Sequence, residues 1–141
     1  MTKEEQLLLV DLSARLPHKV YVKVPKHISI NPLRLYSIKQ IYKSNFDLRR
    51  NTWICCFWNG TFAKIDEVKP YLRSMSSMTE EEMAEFKLLN AECDLMPTFN
   101  YIPVEHYRLF DWLNRNYFDY RGLIPKGLAI EVTKDNNPYK D

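Results

Sequence analysis

The sequence predicts a single α+β domain in which an antiparallel β-meander of three to four strands, over about residues 19–65, is packed by an N-terminal helix and two later helices. Three observations predict this class. Leucines recur at helical spacing near the start of the chain, apolar and polar residues then alternate, and an Asn-Gly pair separates two apolar runs. At 141 residues the chain is long enough to enclose one hydrophobic core.

The first predicted element is a helix over about 3–16. Thr2 and Glu5 form a capping-box pattern, in which each side chain bonds the backbone amide of the other residue. Leucines follow at positions 8, 9, 12 and 16, and Pro17 ends the run. The helix is therefore expected to turn one apolar stripe towards the core.

Two strands are predicted next. Residues 19–25, KVYVKVP, alternate between valines and larger polar side chains, which is the period of a half-buried strand. Residues 33–43 fit either a helix or a strand. The strand is preferred because β-branched and aromatic residues follow Pro32.

A β-hairpin is predicted over about 52–65. A two-residue turn needs positive φ angles, which Asn59 and Gly60 tolerate, and Phe57 then lies opposite Phe62. Neither face of this hairpin is plainly polar, so either both faces are covered or an aromatic face is exposed to a partner. The candidate interaction residues of the hairpin are Trp53, Phe57 and Phe62.

The second half of the chain predicts two helices, over about 80–93 and 104–116. Thr79 and Glu82 form a capping box before the first of these helices, and the acidic residues of its first turn suit the helix dipole. The second helix carries a stripe of aromatic and leucine side chains that would be buried on much of its circumference.

The end of the chain predicts a short strand in the segment LAIEV, followed by a polar tail. The domain is therefore expected to cover 1–132, and residues 133–141 are expected to form a frayed C-terminal tail.

Charge is distributed unevenly along the chain. Residues 1–73 carry 13 Lys or Arg against 6 Asp or Glu, whereas residues 74–141 carry 7 against 12. If the cations of the basic first half converge, they form a face that attracts anions. If they do not, they are solvent-exposed charges that offset the acidic second half. The candidate anion-binding residues are Lys19, Lys23, Lys39, Lys43, Arg49 and Arg50.

Catalytic, metal and cofactor chemistry is not expected. The three histidines are far apart and outside any metal-binding spacing, and the chain has only three glycines, none in a phosphate-binding pattern. Cys55 and Cys56 lie inside an apolar strand without a neighbouring base, which is typical of core thiols. The chain is therefore interpreted as a protein without enzymatic activity, catalytic residues, metal or cofactor.

A cytoplasmic location without a membrane partner is expected. No apolar run approaches 18 residues. Glu4 and Glu5 occupy the place of the basic region of a signal peptide. The uneven number of cysteines, two of them adjacent, is a poor disulfide framework.

The run Asp119-Tyr120-Arg121 allows two interpretations. Arg121 could pair with an acidic residue and hold a turn in place. Alternatively, Tyr120 and Arg121 could form a recognition loop, since tyrosine and arginine are enriched at binding hot spots. Both residues are therefore candidate interaction residues.

Two sequence blocks resemble a known family. The segments VKPYLRSMSSMTEEE (68–82) and DWLNRNYFDYRGLIPKGLAIE (111–131) are similar to the signature blocks of uncharacterised small proteins encoded by phages and integrated mobile elements of gut anaerobic bacteria. Ser74 stands where the family usually has proline. The resemblance implies a shared fold and a mobile-element origin, and it implies no activity.

Together these observations predict a non-enzymatic accessory protein of a phage or mobile element, acting as a protein-interaction module on a host or phage protein. The alternative is a nucleic-acid-binding protein that uses the basic segment 19–50, with aromatic side chains that stack on bases. A protein that binds or sequesters a small ligand is the second alternative.

Overall fold

The computed structural model describes residues 1–41, 52–95 and 104–140, and it has the α+β class that the sequence predicts. The described part contains three α-helices and a six-stranded sheet. In chain order the elements are α1 Lys3–Arg15, β1 Tyr21–Lys23, β2 Leu33–Ile41, β3 Thr52–Phe57, β4 Phe62–Lys64, β5 Lys69–Leu72, α2 Glu80–Leu95, α3 Val104–Arg115 and β6 Ile130–Glu131.

The sheet has the strand order β4-β3-β2-β1-β5-β6. Strands β1 to β4 form the antiparallel meander that the sequence predicts. The predicted number of three to four strands is too small, because β5 pairs antiparallel with β1. The short strand predicted in LAIEV is confirmed as β6, which pairs parallel with β5. Strand β5 was not predicted because it contains Pro70, and proline argues against a strand that has neighbours on both sides.

The helix starts agree with the capping patterns. Thr2 and Glu5 form the reciprocal capping box at α1. At α2 the Glu82 amide donates to Thr79 Oγ1 at 3.1 Å, and the Thr79 amide donates to the Glu82 carboxylate at 3.0 Å. The preference for a strand after Pro32 is also confirmed, as β2.

The larger hydrophobic core lies between α1 and one face of the sheet, which we call the inner face. The valines at positions 20, 22 and 24 are all buried, which confirms the alternation predicted for the first strand. The central members of this core are Leu8, Leu12, Val20, Val22, Leu35, Cys55, Phe57, Ala63, Val68, Leu72 and Leu123.

A smaller core joins α2 and α3. The Trp112 ring stacks on Phe118 with centroids 5.5 Å apart and on Phe86 with centroids 6.2 Å apart. Leu89, Leu109 and Leu113 complete this core. None of the helices in the described ranges is long and apolar enough to cross a membrane.

The hairpin of β3 and β4 has a register that differs by one residue from the predicted one. The predicted pairing of Phe57 with Phe62 is wrong: Cys56 pairs with Phe62. The turn is a three-residue loop, in which Gly60 has a φ angle of 86° and its amide donates to Phe57 O at 3.0 Å. Because side chains alternate between the two faces of a sheet, this shift turns Phe62 to the face opposite the core.

Arg73 joins two segments that are distant in the sequence, residues 68–82 and residues 111–131. Its amide donates to Tyr117 O at 2.7 Å, and its carbonyl accepts from the Asp119 amide at 2.8 Å. Its guanidinium lies 4.3 Å from the centre of the Phe118 ring and forms two hydrogen bonds with the Glu82 carboxylate, at 2.8 and 2.7 Å. The two segments are therefore neighbours in the fold, and Arg73 lies at their junction.

The C-terminal residues pack against the domain, in contrast to the frayed tail that the sequence predicts. The Tyr139 ring stacks on Tyr117 with centroids 3.5 Å apart. Its hydroxyl accepts from the Tyr21 amide at 3.1 Å and donates to Tyr71 O at 2.8 Å. Tyr139 therefore bridges β1 and β5 next to Val22 and Pro70, the last pair between these two strands.

Candidate functional site

Three large aromatic side chains are exposed together on the face of β2–β4 opposite the core, which we call the outer face. The exposed fractions are 56% for Tyr36, 58% for Trp58 and 64% for Phe62. A β-bulge between Leu35 and Ser37 leaves Tyr36 as the extra, unpaired residue, and such a bulge redirects a side chain. We call these three residues the aromatic patch.

The aromatic patch is partly ordered by its own contacts. The Tyr36 and Trp58 rings meet edge to face, with centroids 4.7 Å apart. The Arg34 guanidinium lies over the Trp58 ring, 4.7 Å from its centre. Trp58 is thus held in place while more than half of it stays exposed.

A shallow cavity of about 550 Å³ lies beside the aromatic patch. Ile54 and Cys56 form its floor and point to the outer face from β3. Lys39 lies at its rim. The complete lining is Tyr36, Lys39, Ile54, Cys56, Phe57, Trp58, Gly60, Thr61 and Phe62.

Two lysines flank the floor of the cavity. Lys39 of β2 pairs with Ile54 of β3, and Ile54 pairs with Lys64 of β4, so the three residues form one row across the outer face. With neighbouring strands about 4.8 Å apart, the two lysine Cα atoms are about 10 Å apart. Both lysines are exposed, and neither forms an ion pair with any residue in the described ranges.

The predicted hairpin interaction residues separate in the structure. Phe57 is buried in the larger core, and Trp53 packs against the same core. Phe62 alone of the three belongs to the aromatic patch. Tyr36 and Trp58 were not predicted. The β-bulge that exposes Tyr36 has no sequence signal. Trp58 lies in the loop because the loop has three residues; in the predicted two-residue turn, Trp58 would be the last residue of the strand.

The predicted anion-binding residues are not all gathered at one place. Lys19, Lys23 and Lys39 are exposed. From the pairing of β1 with β2, Lys23 and Lys39 lie roughly 20 Å apart along the sheet. Lys43, Arg49 and Arg50 lie outside the described residues.

Tyr120 and Arg121 belong to a polar cluster at the end of α1. Arg121 Nη1 donates to Asp11 Oδ1 at 2.9 Å, and Tyr120 donates to Asn114 Oδ1 at 2.9 Å. The Tyr120 ring lies 5.4 Å from the Arg15 guanidinium and 4.4 Å from that of Arg121. These contacts favour the interpretation in which Arg121 holds the turn in place.

The centre of this cluster is a buried ion pair that the sequence did not single out. Asp11 and Arg15 are fully buried, and Arg15 Nε donates to Asp11 Oδ2 at 2.8 Å. Arg15 Nη2 also donates to Phe118 O at 2.6 Å. The spacing of four residues within an apolar helix face was the available signal, but the same spacing is common on exposed helix faces.

In the described ranges, no three or more His, Cys, Asp or Glu side chains lie close enough together to hold a metal ion. Burial, with a smaller effect from the neighbouring Cys56, raises the pKa of Cys55 to about 12. A thiol with this pKa is not a nucleophile near neutral pH.

Comparisons of the chain with protein-family models, with curated proteins and with solved structures find no match.

Proposed function

We propose that the protein is a non-enzymatic protein-interaction module whose partner binds the aromatic patch. The observation that carries this proposal is the clustering of three exposed aromatic rings beside a cavity with an apolar floor. Single exposed apolar side chains are common on proteins, but a contiguous exposed group marks a binding surface.

The order within the aromatic patch supports the same proposal. Arg34 and Tyr36 restrict the Trp58 ring before any partner arrives. A side chain that is already ordered loses less conformational entropy on binding, and tryptophan is enriched among the residues that dominate binding energies. Trp58 is thus the expected anchor of the interface.

The setting in which such a module would act follows from the sequence. The resemblance of the two signature blocks supports an accessory protein of a phage or mobile element, with a host or phage protein as its partner. The odd number of cysteines, two of them adjacent, supports a cytoplasmic location.

Nucleic-acid binding is the second candidate. It is favoured by one specific observation: β2, β3 and β4 contain no Asp or Glu, so the aromatic patch lies on a basic surface. Exposed aromatic rings among cations are typical of proteins that stack on single-stranded nucleic acid. Of the stacking candidates in the predicted hairpin, only Phe62 is exposed.

Affinity capture with a patch variant tests the proposal. The wild-type protein and Trp58→Ala/Phe62→Ala are used as baits in extracts of the native host. Both substituted side chains are exposed, so the variant is expected to keep its circular dichroism spectrum. Proteins recovered with the wild type should be lost with the variant.

The matched control is Leu88→Ala/Tyr107→Ala, which removes exposed apolar side chains from α2 and α3 instead. This control should recover the same proteins as the wild type. If all three baits recover the same proteins, the aromatic patch is not the interface.

A further inference from the structure

We infer that the segment which binds the aromatic patch is an acidic peptide segment with an apolar anchor side chain, placed so that two carboxylates reach Lys39 and Lys64. This inference rests on the proposed function and specifies the chemistry of its partner. Three features carry it: the row of lysines, the position of the aromatic patch relative to that row, and the occupied Lys64 amide at the edge of β4.

The row of lysines sets the charge of the partner. Lys39 and Lys64 flank Ile54, both are exposed, and neither has a carboxylate within 4.0 Å among the described residues. Strands β2–β4 carry no acidic residue, and the nearby Glu67 carboxylate accepts a hydrogen bond from the Lys64 amide rather than pairing with its ammonium within 4.0 Å. Among the described residues the two lysine cations therefore remain available to attract negative charge.

The aromatic patch sets the spacing within the partner. The next row on the outer face towards the turn pairs Ser37, Cys56 and Phe62, with Tyr36 and Trp58 beyond it. Two residues along a strand cover about 7 Å, so the lysine row lies about 7 Å from Phe62. An extended segment with an aromatic or branched aliphatic residue and an acidic residue two positions away matches this distance.

The edge of β4 sets the mode of binding. Hydrogen-bonded pairs alternate along an antiparallel ladder, and the Phe57 amide donates to Thr61 O at 3.0 Å, so the Lys64 amide faces away from β3. That amide donates to Glu67 Oε2 at 3.0 Å. An incoming strand cannot use this amide, which disfavours extension of the sheet at Lys64, and we place the partner on the outer face, where it contacts side chains.

The same features favour a peptide over single-stranded nucleic acid. A nucleic-acid strand needs a cationic groove that follows several phosphates. Among the described residues, the outer face offers two lysines without an ion pair, about 10 Å apart. Its arginine, Arg34, already lies over the Trp58 ring and occupies a surface on which a base would stack.

Selection from a random library of displayed twelve-residue peptides tests the inference. The library is selected on the wild-type protein and depleted on Trp58→Ala/Phe62→Ala. The expected consensus has two or more Asp or Glu residues around an aromatic or branched aliphatic residue. A neutral or basic consensus, or no consensus, would overturn the inference.

Charge reversal tests the role of the lysines on the best selected peptide, synthesised with a fluorescent label. Lys39→Glu/Lys64→Glu should weaken its binding about tenfold or more, which corresponds to about 0.7 kcal/mol for each lysine. The matched control, Lys69→Glu/Lys126→Glu, reverses two exposed lysines elsewhere and should change the dissociation constant by less than about threefold.

Two outcomes separate this inference from the proposed function. In the first, host proteins are lost with Trp58→Ala/Phe62→Ala but still captured with Lys39→Glu/Lys64→Glu. In that case the proposed interaction module stands, and the inference of an acidic partner segment is wrong. If a labelled twelve-residue oligothymidylate binds the wild type and not the patch variant, while no acidic peptide is selected, the partner is nucleic acid and both proposals fail.

Discussion

At the scale of single residues, Cys55 and Cys56 are neighbours in β3 with opposite surroundings. Cys55 is fully buried in the larger core, whereas Cys56 is half-buried on the floor of the cavity. Because burial raises the pKa of Cys55 to about 12, its thiolate is almost absent at pH 8.

We therefore expect iodoacetamide at pH 8 to alkylate Cys55 of the folded protein at least about tenfold more slowly than Cys56. Tandem mass spectrometry assigns the label to one of the two residues over time, and the same reaction in urea is the control, where the two rates should converge. Equal rates in the folded protein would contradict the placement of Cys55.

A second prediction concerns the buried ion pair of Asp11 and Arg15. Asp11→Ala leaves the Arg15 guanidinium buried without its carboxylate, and it also removes the partner of Arg121. The expected loss in the free energy of unfolding is about 3–5 kcal/mol, measured by urea denaturation.

The control for this prediction is Asp11→Leu/Arg15→Met, which removes both charges and keeps the volume apolar. Such replacements are often neutral, so the double variant should be more stable than Asp11→Ala. An Asp11→Ala protein as stable as the wild type would show that the ion pair is not buried in solution.

Single residues also show which features can be predicted from the sequence. The roles of Thr2, Glu5, Thr79 and Glu82 followed from the sequence because a helix cap is local, with both partners within three residues. The exposure of Tyr36 and Trp58 did not follow, because it depends on a bulge and on a loop length that are decided by pairing between strands.

At the scale of elements, Glu82 connects the start of α2 to Arg73, the residue that directly follows β5. Its carboxylate accepts from the Thr79 amide and from the Arg73 guanidinium. The hydrogen bonds from Arg73 lower the pKa of Glu82 to about 2. Burial acts in the opposite direction and raises this pKa, whereas the hydrogen bonds with Thr79 lower it further. The carboxylate therefore stabilises the fold fully above its unfolded pKa of about 4.5, and this contribution is lost as the pH falls towards 2.

Glu82→Gln should lower the free energy of unfolding by about 2 kcal/mol at pH 7, because hydrogen bonds to a charged group are lost. Denaturant titrations from pH 7 to pH 2.5 should show the difference from the wild type shrinking below about pH 4.5. Glu81→Gln, in the same helix turn, is the control and should cost less than about 0.5 kcal/mol. A pH-independent difference would contradict the ion pair.

The hairpin shows the limit of sequence reasoning for elements. Asn59-Gly60 correctly predicted that the chain reverses between β3 and β4. The same dipeptide fits a two-residue turn and a three-residue loop, and the two registers place Phe62 on opposite faces. The interactions that decide between them include the burial of Ala63 and Phe57 in the core, which the local sequence does not contain.

At the scale of the whole molecule, Tyr139 fastens the C-terminal segment to the sheet. We expect Tyr139→Ala to lower the free energy of unfolding by about 3 kcal/mol, because the ring leaves its stack on Tyr117. Tyr139→Phe should cost only about 1 kcal/mol, since it loses the hydroxyl hydrogen bonds and keeps the ring. Thermal denaturation measures both.

Tyr107→Ala is the control for this prediction, because that ring is exposed on α3. Its expected effect is within about 0.5 kcal/mol. If Tyr139→Ala and Tyr107→Ala have equal effects, the C-terminal segment does not contribute to the fold.

The overall fold was predictable where neighbouring segments pack together and not where distant ones meet. The meander of β1 to β4 and the three helices followed from local periodicity. Strand β5 did not, because its neighbours come from residues about 50 positions earlier and about 60 positions later in the chain. The arrangement of Arg73 beside Phe118 depends on the same long-range contacts.

The hydrogen bond from the Lys64 amide to Glu67 has a consequence for solubility. A sheet edge with free amides promotes edge-to-edge stacking of copies, which leads to aggregates. On the β4 side, that amide is occupied from within the chain. The protein can thus display three aromatic rings next to a strand edge while its own copies lack a complete template for growing into a fibre.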